Sequence, residues 1–333
     1  MNNTGIIITM AYPETIVKVS DEWFCSYLKF IGIGKKNFVR AGHAALALIH
    51  KETGTLEYYD FGRYITPPAH GRVRGKDTDH ELDFPLAARL ENNKILNLRD
   101  ILKFFGTNPK LTHGEGKLIA SVCDQIDYEK AKAYITKLQN HDFIKYGVFI
   151  NKASNCSRFV TDTLINSVTD EQVRRRLMRS NRFTPSTVGN VIISDTQKDI
   201  YEVSENGDIK EFRSTVRKEN IKHFLDRLKE YEPNLVGKLH PKPVLGISQH
   251  AQWLGGVGAG AWFELHQTEQ HHTFRFQRIS AYGNIDVNGF YALEGFDFIY
   301  EDSYEFIHYS NCRFFHIQQN GKTFRFNLLE KIS

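Results

Sequence analysis

Asn151-Lys152-Ala153-Ser154-Asn155-Cys156-Ser157-Arg158-Phe159-Val160 is a polar loop that runs into an apolar-periodic segment. Phe159, Val160, Thr163 and Leu164 share one face of a helix over 154–166, the spacing of a buried stripe. Ser154 or Asn155 suits the cap of such a helix, because a short polar side chain accepts a hydrogen bond from an N–H of the first turn. Cys156 then stands in that first turn. The free N–H groups and the positive end of the helix dipole stabilise negative charge on its sulfur, and the thiolate is the nucleophilic form. The same N–H groups suit an oxyanion formed when the sulfur attacks a carbonyl.

A thiol nucleophile needs a base within hydrogen-bond reach and a third group to orient that base. Upstream lies the clearest hairpin of the chain: Ala41 to His50, a turn at Lys51-Glu52-Thr53-Gly54, and Thr55 to Tyr64, rich in β-branched and aromatic residues. His43 sits on its first strand among Gly42, Ala44 and Ala45, whose small side chains leave room for a ring and a substrate. Antiparallel pairing about the turn brings the part of the second strand near Asp60 opposite His43, and one register puts both side chains on one face. Asp60 then fixes the imidazole tautomer and stabilises imidazolium. Glu57 takes that place if the register slips.

These residues carry a resemblance. His43-Ala44-Ala45-Leu46-Ala47-Leu48 followed late by Asn155-Cys156-Ser157-Arg158-Phe159-Val160 resembles the circularly permuted papain-like cysteine hydrolases related to NlpC peptidases. The lecithin-retinol acyltransferase and small de-SUMOylating peptidase groups are similar. The resemblance covers roughly residues 5–195. It implies Cys156 as nucleophile, His43 as general base and Asp60 as the third polar residue. The acyltransferase group usually carries His at the third place, where this sequence has Asp60.

The rest of the chain fits an α+β domain followed by a small antiparallel all-β domain. A length of 333 residues exceeds one small core and suggests two domains, taken as 1–235 (core 5–195, helical extension to 235) and 236–333. Gly5 to Met10, Asp83 to Leu90 and Gly116 to Ile126 read as strands. Segments 21–30, 97–105 (cap Asn97, stop Gly106), 128–138, 169–181 and 218–231 read as helices. The charged stretch Arg72 to Glu81 reads as a solvated loop or edge strand. Arg174, Arg175, Arg176 and Arg179 fall toward the end of their helix, where they complement its dipole. Beyond Pro233, Pro241 and Pro243 the chain breaks into short alternating runs, with hairpin signals at Asn288-Gly289 and Asn320-Gly321. This last part, with Gly258-Ala259-Gly260-Ala261-Trp262-Phe263 and a late Ser310-Asn311-Cys312, is similar to a small module of bacterial proteins; that likeness implies no activity.

Hydrophobic and charged fractions of 41% and 25% are those of a globular protein with a buried core. A net charge of +4 is too small and too scattered to suggest nucleic acid as partner. No apolar run reaches the length of a transmembrane helix. The first residues lack a positive n-region and a small-residue cleavage site, which points to the reducing cytoplasm. Cys25, Cys123, Cys156 and Cys312 show no zinc-ligand spacing, so neither a metal nor another cofactor is expected. Cys25 lies between bulky Phe24 and Tyr27 without a cap, Cys123 sits in an apolar stretch, and Cys312 repeats the Asn-Cys-x-x-Phe letters with strand-like flanks. Gly255-Gly256-Val257-Gly258-Ala259-Gly260 lacks the strand-to-helix setting of a dinucleotide loop and reads as a turn. Gly114-Glu115-Gly116-Lys117 lacks the Walker spacing. His266, His271 and His272 flank a polar turn without an acidic or thiol partner at fixed offset.

The sequence therefore describes a hydrolase or acyltransferase working on an amide, ester or thioester through an acyl-enzyme on Cys156. Its substrate class stays open among cell-wall peptide, lipid and protein isopeptide. The alternative is a papain-like binding module without turnover, whose β domain supplies the surface for a protein partner.

Overall fold

β1 (Gly5–Tyr12) is buried along its whole length, because it lies between two antiparallel neighbours. The computed structural model describes residues 2–19, 38–141, 143–148, 150, 152–182, 184–224 and 246–332. Contacts divide the chain into two compact units, residues 1–62 with 84–233 and residues 63–83 with 234–333. The expected helix over 21–30, with Cys25, lies outside the described residues. The first unit is α+β with an antiparallel sheet and packed helices; the second is an antiparallel near-barrel.

In the first unit short β2 (Val17–Lys18) and β3 (Phe38–Val39) pair with each other. The expected hairpin forms β4 (His43–His50) and β5 (Leu56–Gly62). Its tight turn uses Gly54 at φ +69, where a Cβ would come within 2.2 Å of the Ala88 carbonyl oxygen. β6 (His70–Arg74) belongs to the second unit and is described there. Asp83 to Leu90 is not a strand: only the small ribbon β7 (Leu90–Glu91) and β8 (Lys94–Ile95) forms. α1 (Leu98–Thr107) runs one residue past Gly106. Gly106 is a close-approach residue rather than a stop, since a Cβ there would meet Val203 Cγ1 at 2.8 Å. Asn97 precedes α1 without capping it and instead bridges the backbone of Arg89 and Ala87 (2.9 Å each).

The short α2 (Pro109–Thr112) leads to β9 (Leu118–Ile126), α3 (Tyr128–Gln139, capped by Asp127) and β10 (Ile144–Lys145). Then come α4 (Cys156–Ser167), α5 (Glu171–Ser180, capped by Asp170), α6 (Thr187–Ser194, capped by Ser186), β11 (Ile200–Val203), β12 (Ile209–Glu211) and α7 (Val216–Phe224). Sequence periodicity did not single out α6, β11 or β12. The strands run in the order β5-β4-β1-β9-β11-β12. Residues an odd number apart on a strand face opposite sides, and the sheet is covered on both. Tyr58 meets Phe105 of α1 at 5.4 Å between ring centroids, whereas Phe61 meets Phe159 of α4 at 6.4 Å. Val188 and Val191 of α6 pack with Ala11 and Ile119. Among the described residues no helix is long and apolar enough to cross a membrane.

The second unit is built on β13 (Gln252–Gly255), β14 (Gly260–Gln267), β15 (Thr273–Ser280), β16 (Ile285–Glu294), β17 (Glu305–Ile307), β18 (Phe314–Gln319) and β19 (Lys322–Lys331). Their order is β13-β14-β15-β16-β19-β18-β17, so β13 and β17 are the ends to be joined. Side chains join them. Gln252 Nε2 donates to the Tyr304 carbonyl and its Oε1 accepts from the Phe306 N–H, both at 2.9 Å, while His308 Nε2 lies 2.9 Å from the Gly255 carbonyl. Inside, Phe276, Phe315 and Phe326 stack in sequence at 4.2 and 4.6 Å. Asn320-Gly321 makes the expected turn, both residues at positive φ. Asn288-Gly289 does not: it lies inside β16, where a Cβ on Gly289 would press within 2.7 Å of the Glu330 carbonyl oxygen.

Residues 63–83 supply β6 and a 3-10 turn at His80–Leu82 to this unit. The charged run begins as a strand, one of its two expected forms, but it is not solvated. Arg72, Arg74 and Asp79 are buried, and Arg72 grips Asp79 through both guanidinium nitrogens (2.5 and 2.6 Å). Arg278 donates to Asp79 Oδ1 at 3.2 Å and to Glu81 Oε2 at 2.7 Å. Burial works against charge on Asp79, yet Arg72, Arg278 and Arg74 hold its carboxyl below the usual range. Removing one member of a buried ionic cluster strands its partners at a cost of about 3 kcal/mol. Arg278→Met is therefore expected to destabilise the second unit by about that amount, measured by urea unfolding followed through tryptophan fluorescence of Trp253 and Trp262.

Candidate active site

The hairpin register pairs Ala45 with Asp60. His43 lies two residues before Ala45 and so faces the same side as Asp60, as a diagonal neighbour. His43 Nε2 is 3.3 Å from Asp60 Oδ2. Tyr58, two residues before Asp60 and on its face, donates its hydroxyl to the same oxygen at 3.0 Å. Asp60 is fully buried. Glu57 points the other way, opposite Leu48, where it accepts from Lys132 Nζ (2.9 Å) and the Tyr128 hydroxyl (3.0 Å). The structure thus brings Asp60, not Glu57, to the imidazole.

Cys156 is the first residue of α4, and its sulfur lies close enough to His43 to favour the charged imidazole. Asn155 caps the helix by accepting from the Arg158 N–H at 2.9 Å, and its amide donates to the Gly147 carbonyl at 3.2 Å. Arg158 reaches back to the loop, donating to the Ala153 (3.0 Å) and Val148 (2.7 Å) carbonyls. Asn190 of α6 donates to the Ser157 carbonyl (2.8 Å) and accepts from the Thr161 hydroxyl (2.8 Å), which fixes the first turn from the other side. The nucleophile candidate is therefore held by buried, satisfied polar contacts rather than by apolar packing alone. Cys156 and His43 keep 9% and 6% of their surface exposed.

A family model described as type VI secretion system effector TseH-like matches residues 7–173, half of the chain, and spans His43, Asp60 and Cys156. The chain belongs to this TseH-like effector family. A second family model, the DUF6695 C-terminal domain, matches residues 251–329. The crystal structure of the type VI effector TseH superposes with a TM-score of 0.43 at 16% identity, over 64% of this chain and all of that one. No curated protein matches.

Among the described residues the other two thiols are placed differently from Cys156. Cys123 lies inside β9 and burial pushes it up to about 12. Cys312 is fully buried, its thiol donating to the Asp77 carbonyl at 3.3 Å, and burial again pushes it up to about 12. Sequence reasoning missed Tyr58 and Tyr12. The i, i+2 spacing of Tyr58 and Asp60 on one strand was the available signal for the first. Tyr12 pairs directly with His43 across β1 and β4, with the rings 6.2 Å apart, but that pairing joins segments with no local sequence link.

Burial alone lowers the His43 pKa, but the hydrogen bond to the Asp60 carboxylate and the nearby Cys156 sulfur outweigh it and bring the imidazole to about 9. A folded-state pKa above the unfolded value of about 6.5 gives stability that is fully present below that pH and lost as pH rises through about 9. Asp60→Asn is expected to lower the melting temperature most near pH 6, with the gap to wild type narrowing above pH 9, as read by thermal melts across that range.

Proposed function

We propose that the protein is a cysteine hydrolase or acyltransferase of the permuted papain-like, NlpC-related kind, acting on an amide, ester or thioester. The observation that carries this reading is the contact chain from Cys156 Sγ through the His43 ring to Asp60 Oδ2. With Nε2 engaged by Asp60, Nδ1 exchanges the proton with sulfur. Asp60 fixes that tautomer and balances the imidazolium, and Tyr58 fixes Asp60. The Cys156 sulfur attacks the carbonyl carbon, and the resulting oxyanion lies at the N–H groups of the first turn of α4. His43 then gives its proton to the leaving nitrogen, oxygen or sulfur as the bond breaks. The acyl group on Cys156 passes to water or to another acceptor activated by the same imidazole.

Membership of a secretion effector family supports action in a cell that receives the protein, rather than the cytoplasmic residence suggested by the sequence. The second unit then serves as a partner-recognition module. Cell-wall peptide, lipid and protein isopeptide substrates all remain compatible with the chemistry of the site.

Wild type incubated with p-nitrophenyl acetate and with an acyl activity-probe panel is expected to carry the acyl mass on the peptide containing Cys156. Cys156→Ala should carry none, and His43→Ala should slow acylation by about 10²–10⁴-fold. Equal labelling of Cys123, Cys156 and Cys312 near neutral pH would sink the assignment and leave the binding-module reading.

A further inference from the structure

A cavity of about 540 Å³ opens in the first unit behind the loop that leads into Cys156. Its apolar wall is made by Leu138, Ile144, Ile150 and Ala153, and its polar wall includes Lys152, Arg158 and Arg182 against a single carboxylate, Asp162. That carboxylate is already occupied. It accepts from Asn181 Nδ2 at 2.6 Å and from the Tyr134 hydroxyl, and burial holds it above the ordinary range. Arg158 spends its guanidinium donors on the neutral carbonyls of Ala153 and Val148. Among the described residues no carboxylate lies within ion-pair distance of Lys152 or Arg182, both exposed at the cavity. Among the described residues the lining therefore carries more positive than negative charge, beside an aliphatic surface. Pockets of about 300–1,000 Å³ with an apolar lining and a few convergent polar groups are the usual form of small-molecule sites.

We propose that this cavity binds a carboxylate on an aliphatic stem, such as the end of an acyl chain or of an aliphatic peptide residue. The stem lies against Leu138, Ile144 and Ile150, and the carboxylate is held by Lys152 and Arg182. Ala153 and Ser154 line the cavity and lead directly to the cap of α4, so an occupant stands against the loop that sets the position of Cys156. The inference rests on the cavity alone and holds whether or not Cys156 turns over.

The test uses the full chain, as wild type and as Cys156→Ala, titrated by calorimetry with sodium hexanoate, hexylamine, 1-hexanol and sodium acetate. Hexanoate is expected to bind at least about tenfold more tightly than each of the other three, a difference of about 1.4 kcal/mol, in both proteins. Lys152→Ala/Arg182→Ala should reduce hexanoate to the affinity of hexanol while keeping the melting temperature of the unliganded protein; if the pair lowers it, Arg182→Ala alone serves. Equal binding of hexanoate and hexanol, equal binding of hexanoate and acetate, or hexanoate binding untouched by the substitutions would each overturn the proposal.

Discussion

The pairing of Ala45 with Asp60 is the constraint on which the candidate site depends. A strand has period two, so a slip by one residue would send Asp60 to the face of α4 and bring the neighbouring position toward His43. Nothing in the site itself is strong enough to fix that choice. The core fixes it. Tyr58 must lie against Phe105 on one face while Phe61 lies against Phe159 on the other, and β1 holds the far side of β4 through its own register, ending at Tyr12 opposite His43. Burial of large aromatic groups on both faces, each contributing about 2 kcal/mol or more, sets a register in which the polar diagonal comes out correctly.

The same packing creates an electrostatic problem and answers it. A fully buried aspartate is costly unless its oxygens are used. Asp60 Oδ2 receives both His43 and Tyr58, and that pairing is what keeps the imidazole protonatable in a site that would otherwise strip its charge. The helix that brings the thiol is positioned with equal care. Asn155, Arg158 and Asn190 each satisfy carbonyl or N–H groups around the first turn of α4. Gly147, Val148 and Ala153 of the loop before the thiol are thereby tied to the helix that follows it.

Much of this was legible in the sequence because it is local. Asn155 as cap, Cys156 at a helix start, and His43 and Asp60 on one hairpin all follow from spacing within about twenty residues. What escaped is non-local or depends on approach distance. Gly289 looks like a turn residue after Asn288, yet it is small because β19 passes close to it. Gly106 looks like a helix stop and is instead a contact point with Val203. α6 is short, and only its packing on Ala11 and Ile119 makes it a core element. Arg72 to Glu81 reads as a solvated loop or an edge strand; its start is strand β6, but its burial escapes the sequence because Arg278, which pairs with it, lies far along the chain.

That last case bears on what counts as a folding unit. The DUF6695 match covers residues 251–329 and so contains Arg278 but neither Asp79 nor Glu81. Arg278 is 3% exposed, and without Asp79 and Glu81 it keeps the electrostatic pairing with Asp286 but loses both of the carboxylates it donates to, so the buried guanidinium carries a desolvation penalty of several kcal/mol. That is a large share of the stability available to a domain of this size. Cys312 would lose the Asp77 and Thr78 carbonyls that its thiol and N–H use, leaving further buried polar groups unmatched. Residues 63–83 are thus an internal part of the second unit, although the chain makes them long before the rest. Residues 246–333 expressed alone are expected to show no cooperative thermal transition, whereas the same piece with 63–83 fused ahead of it through a flexible linker should melt cooperatively. A cooperative melt of the shorter piece, at the temperature of the fused one, would show instead that the ionic cluster is dispensable and that the aromatic core around Phe276, Phe315 and Phe326 suffices.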